Sequence, residues 1–268
     1  MNIDFYKPAV GRKFVAGSTQ YLEIDSAPVT GVPFSTFLRF NTEDLTNVQA
    51  AFFLGDLDVT ADYFAIMLRG DVAGDPVYCT TRSAAAGSVN AVTTTGFMSG
   101  RWHSVLAVQA TTALRWVTLD GEGYGEETTT VTPTIDTPRI SIGRLGDSTP
   151  SDYASSIFAQ VCLWNVALSR AEGSRMAAGE HPSTIRPESI VALWDFEGTE
   201  KEKNVQLWRP LNYILTNTNG SVPVTCVPPK FWKKIASISP WPAAAAPGGA
   251  IPHNVFGKML SGPFGGAI

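Results

Sequence analysis

From Phe34 onward, apolar residues recur in short runs broken by turn residues, with the period of an extended chain rather than of a helix. The runs 34–41, 63–69, 104–109, 114–119, 139–143, 157–164 and 190–196 predict strands, and their spacing argues for an all-β sandwich rather than βαβ units. In 139–143, Ile140 and Ile142 point one way while Arg139 and Ser141 point the other, which predicts a strand with a wet outer face. Strict alternation in 157–164 puts Ile157, Ala159, Val161 and Leu163 on one face and Phe158, Gln160, Cys162 and Trp164 on the other. Both faces are largely apolar, so this strand should be covered by the opposed sheet on one side and by a loop or helix on the other. Leu119-Asp120-Gly121 signals a hairpin, because Asp-Gly readily supplies positive φ at a tight turn.

One segment breaks the β pattern. Ser169-Arg170-Ala171-Glu172 reads as a capping box, with Ser169 accepting from the Glu172 amide and Glu172 reaching back, and Gly179 supplies a stop. A helix of about nine residues over 170–178 is expected. After about Pro228 the composition changes to many Pro, Gly and Ala with few charges, so the chain divides into a sandwich over 1–228 and an extended tail over 229–268. The tail cannot form its own core, and ordering it would cost about 1–2 kcal/mol per residue. Its isolated large residues Phe231, Trp232, Trp241, Val255, Phe256, Met259 and Phe264 are the available compensation, as anchors on the sandwich, a sister copy or a foreign partner. An assembly contact is the favoured expectation.

At 268 residues the chain can bury a core without staples. The formal charge of −4 and the absence of a basic stripe, apart from Lys230, Lys233 and Lys234, argue against nucleic acid as a partner. Cys79, Cys162 and Cys226 are odd in number and form no CxxC pair, which suggests reduced apolar fillers. The N-terminus has no apolar run behind its first charges, and no stretch reaches about 18 uninterrupted apolar residues. A soluble protein assembled in a reducing cell, without a secretion signal or a membrane contact, is expected.

Several short motifs then fall into an ordered series. They are Ala16-Gly17-Ser18-Thr19-Gln20-Tyr21-Leu22-Glu23-Ile24, Pro33-Phe34-Ser35-Thr36-Phe37, Arg101-Trp102-His103-Ser104-Val105, Leu119-Asp120-Gly121 and Ile142-Gly143-Arg144. Gln160-Val161-Cys162-Leu163-Trp164-Asn165-Val166-Ala167-Leu168-Ser169 then leads into the capped helix. Together they resemble the laminin G-like branch of the concanavalin A-like superfamily over about residues 13–200. The segment 143–153, with His181-Pro182 and Arg186-Pro187-Glu188-Ser189, resembles the version found in tailed-phage structural proteins. The resemblance implies a two-sheet antiparallel jelly-roll sandwich with one short helix, in which 21–25 is an ordinary edge strand. Trp102 and Trp164 are expected as core anchors, His103 and Asp120-Gly121 as shapers of strand ends, and Gly17 and Gly143 as turn-permitting glycines.

Catalytic chemistry finds little support. Glu23-Ile24-Asp25 resembles the start of a glucanase carboxylate pair, but Ala27 and Pro28 occupy the positions of the second acid. His103, His181 and His253 form no HxxxH or HExxH arrangement, and no GxSxG elbow supports a nucleophile. Asp56, Asp58 and Asp62, or Asp147 with Asp152, could offer oxygen ligands to calcium, although capping of turns is the ordinary role of such acids, and no metal or cofactor is claimed. The expectation is a non-enzymatic virion protein, foremost a capsid decoration or cement protein held to other virion subunits by its tail and oligomeric in the particle. The alternative is a carbohydrate-binding, host-attachment module of a phage tail or fibre, with Tyr63, Tyr78, Tyr124 and Tyr153 as stacking candidates.

Overall fold

Alternating apolar residues build two antiparallel sheets whose inner sides share one core. The computed structural model describes residues 10–196, 201–202 and 215–225. In chain order the strands are β1 (Val10–Lys13), β2 (Tyr21–Ile24), β3 (Phe34–Thr42), β4 (Val48–Asp56), β5 (Tyr63–Arg69), β6 (Pro76–Ser83), β7 (Gly87–Gly96), β8 (Trp102–Gln109), β9 (Arg115–Leu119), β10 (Glu122–Glu127), β11 (Pro138–Ile142) and β12 (Ser156–Trp164). Helix α1 (Arg170–Ala177) follows, then β13 (Ile190–Trp194), β14 (Lys201–Glu202), β15 (Leu215–Thr218) and β16 (Val222–Thr225). The first sheet runs β10-β9-β8-β3-β12-β1-β16, with β13 also on β12, and the second runs β14-β15-β2-β11-β4-β5-β6-β7. Each strand expected from alternation is present, with ends within two residues of the expected ones. Among the described residues no helix is long and apolar enough to cross a membrane.

The core joins Phe34, Leu38 and Phe40 of the first sheet to Phe52, Phe64 and Ile66 of the second. Phe34 meets Phe64 edge-on across the two sheets at 4.9 Å between ring centroids. Burial of such a side chain is worth about 1.5–3 kcal/mol, which makes this layer the main source of cohesion.

Strict alternation fails in β12. Gln160 adopts a left-handed conformation (φ +51°), and the pairing with β3 shifts register between Ala159 and Cys162. The extra residue swaps the faces: Phe158, Val161 and Leu163 enter the central core, whereas Cys162 and Trp164 turn outward. There they lie in a second cluster with Met176 of α1 and Leu168, so the expected double cover is present with the faces reassigned. Ser169 and Glu172 form the reciprocal capping box. Gly179 closes the helix at φ +109°, donating to the Met176 carbonyl while the Glu180 amide donates to that of Arg175, a Schellman arrangement.

Three further expectations need correction. Ser141 is fully buried rather than wet, because residues 143–155 cross the outer side of the second sheet and Gly146 presses against its hydroxyl. Leu145 of this crossing segment packs with Ala50, Phe53, Tyr63, Ala65 and Met67. Secondly, β2 is an inner strand, paired with β15 on one side and β11 on the other. Thirdly, Gly17 has open space around it within a 3-10 turn, and the positive φ nearby belongs to Thr19. Gly143 does match its expectation: φ is +90°, and a Cβ there would stand 2.7 Å from the Phe14 ring.

On one side the sandwich closes on itself. At Gly125 of β10 a Cβ would lie 1.7 Å from the Val92 carbonyl of β7, so only glycine lets these two edges meet.

Candidate functional site

The four tyrosines do not converge. Tyr63 is only 6 % exposed and packs on Phe53 in the cluster beneath the crossing segment, which removes it as an open stacking platform. Tyr124 lies over the outer side of the first sheet, against Trp116 and under the Arg170 guanidinium, with its hydroxyl bonded to Glu126. Tyr78 and Tyr153 are half-buried and belong to the outer side of the second sheet, Tyr78 on β6 and Tyr153 within the crossing segment. Three of the four thus belong to that side, Tyr63 buried and Tyr78 and Tyr153 half-exposed.

Strand pairing explains what surrounds them. Tyr63 opposes Arg82, Tyr78 opposes Val92, and Glu23 opposes Ser141, so alternate residues of five strands project onto one side. Three guanidinium groups lie over tyrosine rings there: Arg144 over Tyr21 at 3.5 Å, Arg69 over Tyr78 at 4.8 Å and Arg82 over Tyr63 at 5.9 Å. Each has a carboxylate nearby. Arg144 reaches Glu23 at 2.5 Å, Arg69 holds Asp71 through two bonds of 2.8 and 2.7 Å, and Arg82 lies within the field of Asp147. Burial raises the pKa of Asp147 against the opposing Thr149 amide and Arg82, and burial likewise raises that of Asp152. Burial also raises the Tyr63 hydroxyl, outweighing Arg82 beside it. Planar rings beside fixed donors and acceptors suit a polyhydroxylated ligand.

Other candidate groups are engaged in structural work. Asp56 accepts from the Asp58, Asp136 and Thr137 amides and from the Thr137 hydroxyl, and Asp62 accepts from the Ala84 and Thr134 amides. Among the described residues, no three His, Cys, Asp or Glu side chains gather as a metal site. Glu23 and Asp25 form ion pairs with Arg144 and Arg139. His103 lies between Asp120 and the Met98 amide. Cys79 and Cys162 are buried thiols, with burial pushing Cys79 up to about 12. Cys226, His253, the tail 229–268 and its anchors Phe231, Trp232, Trp241, Val255, Phe256, Met259 and Phe264 lie outside the described residues.

A cleft of about 510 Å³ lies at one end of the molecule, lined by Lys13, Asn41, Glu43, Asp44 and Ser155 among others. Its aromatic residue, Phe14, is buried against Phe158, and Asp44 turns back onto Thr46 and Asn47 of its own loop. It thus offers no open ring to a sugar. The residues that sequence reading missed are Tyr21, Arg69, Arg82, Arg139 and Arg144. They sit on separate strands and a crossing loop, and only the pairing register brings them to one face.

Residues 16–172, more than half of the chain, match the family described as the concanavalin A-like lectin/glucanases superfamily. The SAP-like pentraxin of Limulus polyphemus, a native heptamer, superposes with a TM-score of 0.56 at 12% identity over 81% of this chain and 95% of its own. A putative carbohydrate binding protein from Bacteroides ovatus superposes with a TM-score of 0.58 at 16% identity, over 82% of this chain and 60% of its own. No curated protein matches the chain. At such identities the superpositions establish the shared two-sheet sandwich fold.

Proposed function

Because the chain belongs to the concanavalin A-like lectin/glucanases superfamily, we propose that it is a non-enzymatic, lectin-like module of a bacteriophage virion that binds glycan on the outer face of its second sheet. The observation that carries the binding role is the pair of half-exposed tyrosines, Tyr78 and Tyr153, set among arginine–carboxylate pairs on that face. Sugars are held in this way, with a C–H face against a ring and hydroxyls between charged partners. The Bacteroides ovatus protein, titled a putative carbohydrate binding protein, supports the same reading through fold alone. A binding role without catalysis is supported by the ion pairs that occupy Glu23 and Asp25 and by Ala27 and Pro28 where a second acid would stand.

The virion setting rests on the sequence. The segment 143–153 resembles its counterpart in tailed-phage structural proteins, and the Pro/Gly/Ala-rich 229–268 suits an anchor to capsid or tail subunits. A decoration protein held by such an anchor would gain from many weak contacts at once. Localisation in the particle and partnership with other virion proteins follow from this reading.

The binding role is tested by titrating the full chain and two variants on an immobilised glycan panel. Tyr78→Ala should weaken binding at least about tenfold, the loss of one good stacking contact. Tyr124→Ala, on the opposite sheet, should leave it unchanged. The reverse pattern would remove the second sheet from consideration. For the anchor, full-length chain carrying Trp232→Ala, Trp241→Ala and Phe256→Ala should fail to co-sediment with particles lacking the protein, and undiminished co-sedimentation would sink the anchor.

A further inference from the structure

We infer that the glycan bound by this face is neutral, rich in hydroxyls and without carboxylate, sulfate or phosphate groups. The inference rests on the glycan-binding reading above and sharpens it.

An acidic sugar needs a cation that it can claim. The outer face of the second sheet carries arginines, yet their charge is already met. Arg69 holds Asp71 in a two-bond fork, which an incoming carboxylate would have to displace. Arg139 reaches Asp25 at 2.6 Å and Glu23 at 3.5 Å, and Arg144 takes the same Glu23 carboxylate at 2.5 Å while its plane covers Tyr21. Arg82 is the remaining guanidinium, and it is opposed by Asp147, while Asp152 adds a second acid beside Arg69, which Asp71 already holds. Carboxylates thus outnumber guanidinium groups on the face by five to four.

The energetic direction follows from Coulomb's law. A carboxylate brought among half-buried acids meets repulsion at an effective dielectric well below that of water. Burial raises the carboxyls of Asp147 and Asp152, so a further anion beside them would be partly desolvated as well. A neutral sugar meets no such barrier. Its hydroxyls donate to carboxylate oxygens, accept from the guanidinium edges, and leave the ion pairs in place. Thr80 and Asn90, bonded to each other at 2.7 Å on the neighbouring strands, extend the polar stripe without adding charge.

The test uses the full chain and paired probes with and without carboxylates: lactose against 3′-sialyllactose, which adds one sialic acid, and fully methyl-esterified against de-esterified oligogalacturonate, which share one backbone. At low ionic strength the neutral member of each pair should bind at least about tenfold more tightly. Asp152→Asn and Asp147→Asn, each checked for an unchanged circular dichroism spectrum, should narrow that ratio by reducing the negative charge. Equal or tighter binding of the acidic members would overturn the inference while leaving glycan binding intact. Absence of binding to every probe would overturn both.

Discussion

The Asp120 carboxylate lies 2.7 Å from Nδ1 of His103 through one oxygen and accepts the Ser104 amide at 2.8 Å through the other. The Met98 amide donates to the far ring nitrogen of His103 at 2.9 Å, which places the ring proton on Nδ1, toward Asp120. Asp120 also opens the two-residue turn between β9 and β10, at φ +56° with Gly121 at +78°, the pair of positive values that a type I′ turn demands.

Asp120→Ala removes both the charge-assisted bonds and a residue suited to positive φ, and should cost about 2–3 kcal/mol. Asp120→Asn keeps the turn preference and a hydrogen-bonding oxygen and should cost less. Urea denaturation of the two variants measures the difference, and equal losses would show that the turn conformation contributes nothing.

Gln160 combines a left-handed backbone with a side chain that accepts from Arg39 Nε at 2.7 Å in the interior. Gln160→Val places a β-branched residue at positive φ and withdraws that acceptor from a buried guanidinium, so a loss of about 2 kcal/mol or more is expected. Gln160→Gly relieves the backbone but not the arginine, and should fall between wild type and the valine variant.

Glycine has unequal value along the chain. Gly125→Ala drives a Cβ into the Val92 carbonyl and should cost about 2 kcal/mol or more, whereas Gly17→Ala enters open space and should be neutral within about 0.5 kcal/mol. Thermal melts of both proteins compare them directly.

Burial of Asp56 disfavours its ionised form, but the Thr137 hydroxyl and the Thr137, Asp58 and Asp136 amides outweigh this and bring its carboxyl down to about 2. A carboxyl held lower in the folded than in the unfolded chain adds stability that is present above about pH 4 and lost as pH falls toward 2. Allowing for solvent screening, wild type should lose about 1 kcal/mol more than Asp56→Asn across that window. Asp147 and Asp152 have the opposite sign, since burial raises them, so Asp147→Asn should raise stability at pH 7. Chemical denaturation between pH 2 and pH 7 separates the two cases.

Local signals carried far in the sequence. The Ser169 to Glu172 box and the Asp120-Gly121 turn stand where their residue types require them, because caps and tight turns are decided within a few residues. The bulge at Gln160 was hidden, since both faces of β12 are apolar and a one-residue slip leaves the pattern looking equally regular. Ser141 read as solvated because a small hydroxyl carries no mark of the segment that covers it. Of the candidate site the sequence marked Tyr63, Tyr78 and Tyr153, and marked Glu23, Asp25, Asp147 and Asp152 for other chemistry. Its arginines come from β5, β6, β11 and the crossing segment, and no local rule ties Arg82 to Tyr63 or Arg144 to Tyr21.

The glycine contact between β10 and β7 also bears on how this fold would behave at high local concentration. A strand border left bare invites a neighbour's backbone to extend the sheet, and the invitation grows with local concentration. Here each border is shielded by the other, with Gly125 against Val92 and Gly123 against Thr95. On that flank, copies arrayed on a repeating lattice would meet side chains rather than open ladders, so dense packing need not become fusion.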